Sequence, residues 1–250
     1  MSTDGFADWV AEFEAEKERR ARAGDPDWSQ GATLPAAVWR SLQRFQVGED
    51  GDGRNLISKA DQAGDDTYAT AVRLFVAEEQ NHGRQLARLL AAGGVATLEG
   101  HWSDRIFVRF RRLLGMRLEL MVLMIAELVA VEYYRTVRDR VADPLTREVT
   151  ARILADERRH IPFHCRRLRH SIEELPAALR PVAILGWRLL LLAATLFVIL
   201  DHGPALHALQ VRRTRFLAGV MRSSTSVAAA MLGRHQARTA GAASRHPLSA

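Results

Sequence analysis

The chain has 250 residues, of which 48% are hydrophobic and 26% are charged, a composition typical of a globular protein with a sizeable core. The formal charge is +6, but only Lys17 and Lys59 are lysines, and the arginines are scattered along the chain. We therefore expect no nucleic-acid partner. The one cysteine, Cys165, excludes an intramolecular disulfide. The N-terminus is acidic and amphipathic and lacks the basic-then-apolar order of a secretory signal, so we expect a cytoplasmic protein.

The apolar residues recur with helical spacing along most of the chain. Residues 1–33 form an amphipathic helix followed by a linker rich in Gly, Pro and Asp. The spacing then predicts four long helices, at 35–62, 66–91, 104–141 and 144–172. Aspartates at the starts of three of these helices are predicted N-caps: Asp66, Asp104 and Asp143. The pattern indicates an all-α fold, with a four-helix bundle over residues 34–172.

The C-terminal part adds further helices over residues 173–232, and residues 233–250 are predicted to be a disordered tail. One segment, Pro181–Leu200, is apolar enough to raise the question of a membrane helix. Arg188 interrupts it and leaves twelve uninterrupted apolar residues, Leu189–Leu200, a length typical of a buried core helix. We predict a core helix that packs on the bundle, with a membrane-inserted helix as the alternative.

The connection between the second and third predicted helices is the longest, which is typical of a bundle built from two helical hairpins. It prompts a search for an internal repeat. A shift of 78 residues lays FVAEEQNH (75–82) on ILADERRH (153–160). The same shift lays Glu49 on Glu127.

Each half of this repeat has a glutamate 30 residues before a Glu-x-x-His pair. Residues at i and i+3 share a helix face, so a carboxylate and an imidazole can point at one place. Two facing hairpins would then supply four carboxylates and two imidazoles, which suits a pair of iron or manganese ions in a helical core. The six predicted ligands are Glu49, Glu79, His82, Glu127, Glu157 and His160.

The predicted ligand Glu127 lies inside an apolar run, LELMVLMIAELVAVEYY, where an unpaired carboxylate would cost several kcal/mol. Two alternatives stay open for it. Glu132 competes as the ligand from the third helix, although the equal spacing in the two halves favours Glu127. Glu127 could also be a structural partner of an arginine such as Arg84. For the two Glu-x-x-His pairs, the alternative is a coincidence of surface residues.

Other residues near the predicted ligands have weaker signals. Gly48, Gly51 and Gly53 flank Glu49 and predict a distorted helix, with a π-bulge as one form of the distortion. Pro162 predicts a kink just after His160. His164 comes four residues after His160 and shares its helix face. It either contacts the ligands from behind or is a histidine packed in the core. Three tyrosines are redox-active neighbours of the site or ordinary core aromatics: Tyr68, Tyr133 and Tyr134.

This ligand set resembles that of the ferritin-like superfamily of di-iron carboxylate proteins, over roughly residues 34–171. The stretch ADERRH (155–160) is similar to the Asp-Glu-x-Arg-His form of desaturases and related oxidases. That resemblance implies that Asp156 accepts a hydrogen bond from a metal-bound imidazole. The stretches QVGEDGDGRNL and AELVAVEYY resemble those of a bacterial group of ferritin-like domain proteins.

The resemblance implies two iron ions, or one manganese and one iron, that serve an O2-dependent oxidase or oxygenase acting on a small organic substrate. An electron-donor protein would complete the reaction, and a homodimer is compatible with it. The helices after Ser171 favour this function because they can wall a substrate pocket. The alternatives are iron handling or peroxide protection, as in ferritins and rubrerythrins, and a helical scaffold without metal. Iron storage requires a large cage of subunits. The rubredoxin module of a rubrerythrin requires four cysteines, and this chain has one.

Overall fold

A computed structural model describes residues 4–99 and 115–233. In these two ranges all regular structure is helical and no strand occurs, which confirms the predicted all-α class. A short 3-10 turn, Trp28–Gln30, follows the first helix. The helices are α1 (Asp4–Ala23), α2 (Ala36–Glu49), α3 (Arg54–Gln62), α4 (Asp66–Ala92), α5 (Met116–Arg140), α6 (Pro144–Glu173), α7 (Leu179–Asp201), α8 (Gly203–Ala208) and α9 (Arg213–Met231).

The first long helix predicted from the sequence is two helices in the structure. Helix α2 ends at Glu49, and α3 begins after Gly53, which has a φ of 61°. That left-handed conformation favours glycine, and a Cβ at this position would collide with the side chain of Val76 on α4. The glycines therefore turn the chain immediately after Glu49 and do not produce a π-bulge.

Most predicted ends of the long helices lie within one residue of the observed ends. Asp65, rather than Asp66, caps α4 and accepts a hydrogen bond from the Tyr68 amide. Asp143 caps α6 as predicted, accepting from the Thr146 amide at 2.7 Å. The third long helix begins at Met116, and the predicted cap Asp104 lies outside the described residues. So do residues 234–250 of the predicted tail.

Two helical hairpins form the centre of the protein. Helices α2 and α3 pack on α4, α5 packs on α6, and contacts between α4 and α6 join the two pairs. Helix α5 is apolar around its circumference and is buried nearly throughout its length. Helix α1 packs along α4 and places Phe6, Trp9 and Phe13 against Phe163 of α6. The N-terminal helix is thus part of the same core.

Helices α7 and α9 pack on the outside of the α5–α6 pair. Trp187 of α7 is buried, and its indole donates a hydrogen bond to the Met121 carbonyl at 2.9 Å. The opposite face of α7 is exposed, for example 63% at Val182 and 71% at Leu200. The predicted core helix is therefore buried on one face only. Among the described helices, α7 alone is long and apolar enough to cross a membrane, a weak criterion that rests on length and composition.

Candidate metal centre

The structure brings the six predicted ligands together between the two hairpins. Glu49 lies at the end of α2, Glu127 lies in the middle of α5, and α4 and α6 each supply a Glu-x-x-His pair. The donor atoms form two overlapping groups, each with all its atoms within 4.8 Å of one another. One group is Glu49, Glu79, His82 and Glu157, and the other is Glu79, Glu127, Glu157 and His160. Glu79 and Glu157 belong to both groups, so they have the placement of bridging ligands.

In both histidines Nδ1 faces the carboxylates. Nδ1 of His82 lies 3.5 Å from oxygens of Glu79 and of Glu157, and 3.9 Å from Glu49. Nδ1 of His160 lies 3.1 Å from Glu79, 3.6 Å from Glu127 and 3.7 Å from Glu157. Each ring therefore directs one nitrogen to the centre of its own four-residue group.

The other ring nitrogen of each histidine is held by an acid from the opposite half of the repeat. Nε2 of His82 lies 3.1 Å from Asp156 of α6, and Nε2 of His160 lies 3.0 Å from Glu78 of α4. With the proton on Nε2, both Nδ1 lone pairs are free for a metal ion. Sequence reasoning named Asp156 but missed Glu78, although the 78-residue shift places these two acids at the same position.

Two arginines pair with these outer acids, and neither was predicted. Arg159 of α6 lies 2.5 Å from Asp156 and 3.2 Å from Glu78. Arg20 comes from α1, 136 residues away from Asp156 in the chain, and also contacts both acids. No spacing signal in the sequence links α1 to the repeat, so this contact depends on the tertiary fold.

Glu49 is fixed by two contacts that the repeat does not duplicate. The Tyr134 hydroxyl, which the sequence analysis placed behind the ligands, donates a 2.5 Å hydrogen bond to Glu49. Gly83 allows the end of α2 to approach α4 closely, because a Cβ there would lie 3.3 Å from the Glu49 carbonyl and the Asp50 amide. The backbone and the side chain of Glu49 are therefore both held after α2 ends.

His164 lies behind Glu127 and is fully buried, with Nε2 at 3.7 Å from a Glu127 oxygen. Neither of its ring nitrogens makes a hydrogen bond, and the ring packs edge-on against Phe75. Burial, reinforced by the charge of His160, lowers the pKa of His164 to about 3. His164 is therefore a neutral neighbour of the cluster and lies outside both four-residue groups.

The remaining candidates from the sequence lie elsewhere. Glu132 packs against Gly219 of α9 and pairs with Arg135, so it is not among the clustered ligands. Arg84 is exposed and donates to Asn81, and Glu127 has no contact with it. Tyr133 hydrogen-bonds Ser41, Tyr68 packs among Phe6 and Phe163, and Cys165 is buried.

The cluster is strongly charged and almost closed to solvent. Burial, together with the negative charge of neighbouring glutamates, raises the pKa of Glu49 and of Glu157 to about 8, and burial also raises that of Glu127. Burial would lower the pKa values of His82 and His160, but the carboxylates around both rings outweigh it and raise them well above 6.5. The metal-free cluster therefore retains protons that metal ions would replace.

The residues present fit a pair of divalent metal ions. Four buried donor atoms have no hydrogen-bond partner: Glu79 Oε1, His82 Nδ1, Glu127 Oε2 and His160 Nδ1. A buried polar atom without a hydrogen bond lowers the stability of the folded protein, and all four of these atoms point into the two ligand groups. Carboxylate and imidazole donors suit iron and manganese.

No protein-family model, curated protein or solved structure matches the chain.

Proposed function

We propose that the protein binds two iron ions, or one manganese and one iron, in a ferritin-like four-helix arrangement of α2, α4, α5 and α6. We further propose that it uses them to oxidise a small organic substrate with O2. The observation that supports this most is the pair of overlapping ligand groups that share Glu79 and Glu157. A structural metal site would need one group of ligands, whereas sharing two carboxylates fits two ions held close together.

The chain's own residues account for holding and orienting such a pair. Glu79 and Glu157 lie between the two positions, and one histidine and one further glutamate complete each position. Asp156 and Glu78 orient the histidines, and Tyr134 orients Glu49. When bound, two ferrous ions would supply two of the four electrons that full reduction of O2 requires, and the organic substrate would supply the other two.

The surroundings of the ligands suit oxidation away from bulk water. His82 and His160 are fully buried, and Phe75 packs edge-on against the His160 ring with centroids 4.7 Å apart. Glu79 is the most exposed ligand, at 22% of its side chain, against 8% for Glu49. A small molecule would therefore reach the site beside Glu79, at the outer surface of α4.

An anaerobic titration followed by exposure to O2 tests this function. The protein is loaded with two equivalents of Fe2+ per chain and mixed with O2, a reductant and a panel of small organic substrates. We expect O2 consumption that depends on a substrate and yields a hydroxylated or desaturated product. The matched control is Glu79→Ala, which we expect to consume no O2 beyond the rate of free iron.

The same experiment separates this function from iron handling. Iron oxidation that continues far beyond two ions per chain without any organic product, in a large cage of subunits, would favour the ferritin-type alternative. A monomer or homodimer that stops at two ions and forms no product with a broad panel would contradict both functions.

A further inference from the structure

Helix α1 reaches the ligand cluster with Phe13, whose ring centroid lies 6.2 Å from that of His160, and with a charged side chain, Arg20. Its guanidinium lies 2.6 Å from Glu78 and 3.3 Å from both carboxylate oxygens of Asp156. The Arg20 side chain is only 22% exposed, although it lies near the end of a surface helix. Arg20 therefore bridges two acids that come from α4 and α6, the helices with the two Glu-x-x-His pairs.

These two acids are the ones that orient the site histidines. Asp156 is held against His82, and Glu78 is held against His160, each across the boundary between the repeat halves. Because Arg20 contacts both acids, one side chain is linked to both metal positions. Arg159 makes a similar bridge from α6 and is in turn held by Glu16 of α1, at 3.0 Å.

The charges around the site balance only when α1 is counted. The four ligand glutamates and the two outer acids carry six negative charges when ionised, and two divalent ions neutralise four. Arg20 and Arg159 neutralise the remaining two. Glu78 and Asp156 are both almost fully buried, at 2% and 3% exposure, and a buried carboxylate requires a paired charge.

We propose that α1 is part of the metal centre and that Arg20 is a positioning residue, which holds Glu78 and Asp156 against both histidines and so sets how tightly the two metal ions are bound. This inference rests on the proposed metal site. It extends that site beyond the internal repeat to a fifth helix. Arg20 touches no metal position itself and acts through the two acids.

Arg20 is not needed to dock α1. The helix is anchored by aromatic residues about two and four turns away, since Phe13 and Phe6 are 3% and 5% exposed and contact Phe163. Removing the Arg20 charge should therefore leave α1 in place. Arg22 offers a matched control, because it lies in the same last turn of α1 as Arg20 and is exposed.

The test compares the metal affinities of two variants of the whole chain, Arg20→Gln and Arg22→Gln. Mn2+ binding is measured without O2 by equilibrium dialysis, together with the electron paramagnetic resonance spectrum of the loaded protein. We expect Arg20→Gln to lower the affinity for both ions by about 10- to 100-fold, which is the range found when outer partners of metal ligands are removed. Arg20→Lys should recover part of the affinity, and Arg22→Gln should match the wild type with an unchanged spectrum.

A second comparison separates a positioning role from a general loss of structure. It uses the double variant Glu78→Gln with Asp156→Asn, with and without Arg20→Gln. If Arg20 acts through the two acids, Arg20→Gln should have no further effect once Glu78→Gln and Asp156→Asn are present. Additive losses, or wild-type affinity in Arg20→Gln, would overturn the inference. Wild-type protein that binds no metal would instead overturn the proposed function itself, and this is seen before any variant is made.

Discussion

The two halves of the repeat contain the same ligands but differ in how they hold them. In the first half, Glu49 is the last residue of α2, and exposed residues precede and follow it at Gly48 and Asp50. In the second half, Glu127 lies in the middle of the continuous helix α5, between the partly buried Ala126 and the buried Leu128. The first half is therefore the open side of the site, and the second is its closed side.

The supporting residues show the same asymmetry. Tyr134, which hydrogen-bonds Glu49, and His164, which lies behind Glu127, both come from the second half. The 78-residue shift places Leu56 and Leu86 at the corresponding positions of the first half. The repeat thus duplicates the ligands and the outer acids, whereas the hydrogen bond to Glu49 and the histidine behind Glu127 both come from the second half. This difference predicts unequal responses to equivalent substitutions.

The largest expected difference separates the shared glutamates from the two end glutamates. Glu157→Ala removes a ligand from both groups, so we expect it to lose both metal ions. Glu127→Ala or Glu49→Ala removes a ligand from one group only, and we expect about one ion per chain to remain. Metal analysis of the purified variants measures this, with Glu148→Ala on α6 as the control that keeps both ions. Equal losses in all three ligand variants would contradict the two-group arrangement.

The next effect is on the stability of the metal-free protein. Glu49 and Glu157 have pKa values raised to about 8, and those of His82 and His160 are also raised. The folded state then binds more protons than the unfolded chain above about pH 4.5, so stability falls as pH rises through 8. We expect the melting temperature to drop by at least about 5 °C between pH 6 and pH 9.

Thermal melts of chelator-treated and metal-loaded protein across this range test the sign. Metal ions replace the protons, so the loaded protein should lose much less stability toward high pH. The double variant Glu49→Gln with Glu157→Gln should flatten the curve of the metal-free protein. A metal-free melting temperature that rises from pH 6 to pH 9 would contradict this explanation.

A smaller effect should appear when Glu127 is made apolar. Glu127→Met removes a buried carboxylate. In the metal-free protein the contacts of that carboxylate are with the histidines of the cluster, and it has no contact with a lysine or arginine. We expect the metal-free variant to gain about 1–3 kcal/mol in stability while it loses one metal ion. Glu119 on the same helix is the control, because it pairs with Lys59 at 2.5 Å and hydrogen-bonds Asn55. Glu119→Met should destabilise the protein, and a gain there would refute the distinction.

The smallest expected effect concerns the support that the second half gives to the first. Tyr134→Phe removes the 2.5 Å hydrogen bond to Glu49 and should lower the affinity for one metal ion by about three- to tenfold. Tyr133→Phe is the control, because Tyr133 bonds Ser41 and not a ligand. Isothermal titration calorimetry resolves the two ions if their affinities differ. Equal effects of the two variants would show that the loss is one of packing.

The internal repeat explains why much of this site could be predicted from the sequence. Helical spacing and the repeated Glu-x-x-His pairs depend on local geometry, and the structure places all six residues together. The glycines around Glu49 predict only a distorted helix, because glycine weakens a helix without specifying a turn. Arg20 could not be found, because a contact over 136 residues leaves no periodic signal. Glu78 was missed although the repeat placed it opposite Asp156.

The proposed metal site is tested most directly by the metal content of freshly purified protein, measured by mass spectrometry, for the wild type and for His82→Ala combined with His160→Ala. We predict close to two iron or manganese ions per chain in the wild type, and none in the double variant. A wild type that holds no metal after growth with iron and manganese would contradict the account and leave the cluster as a buried network of charges.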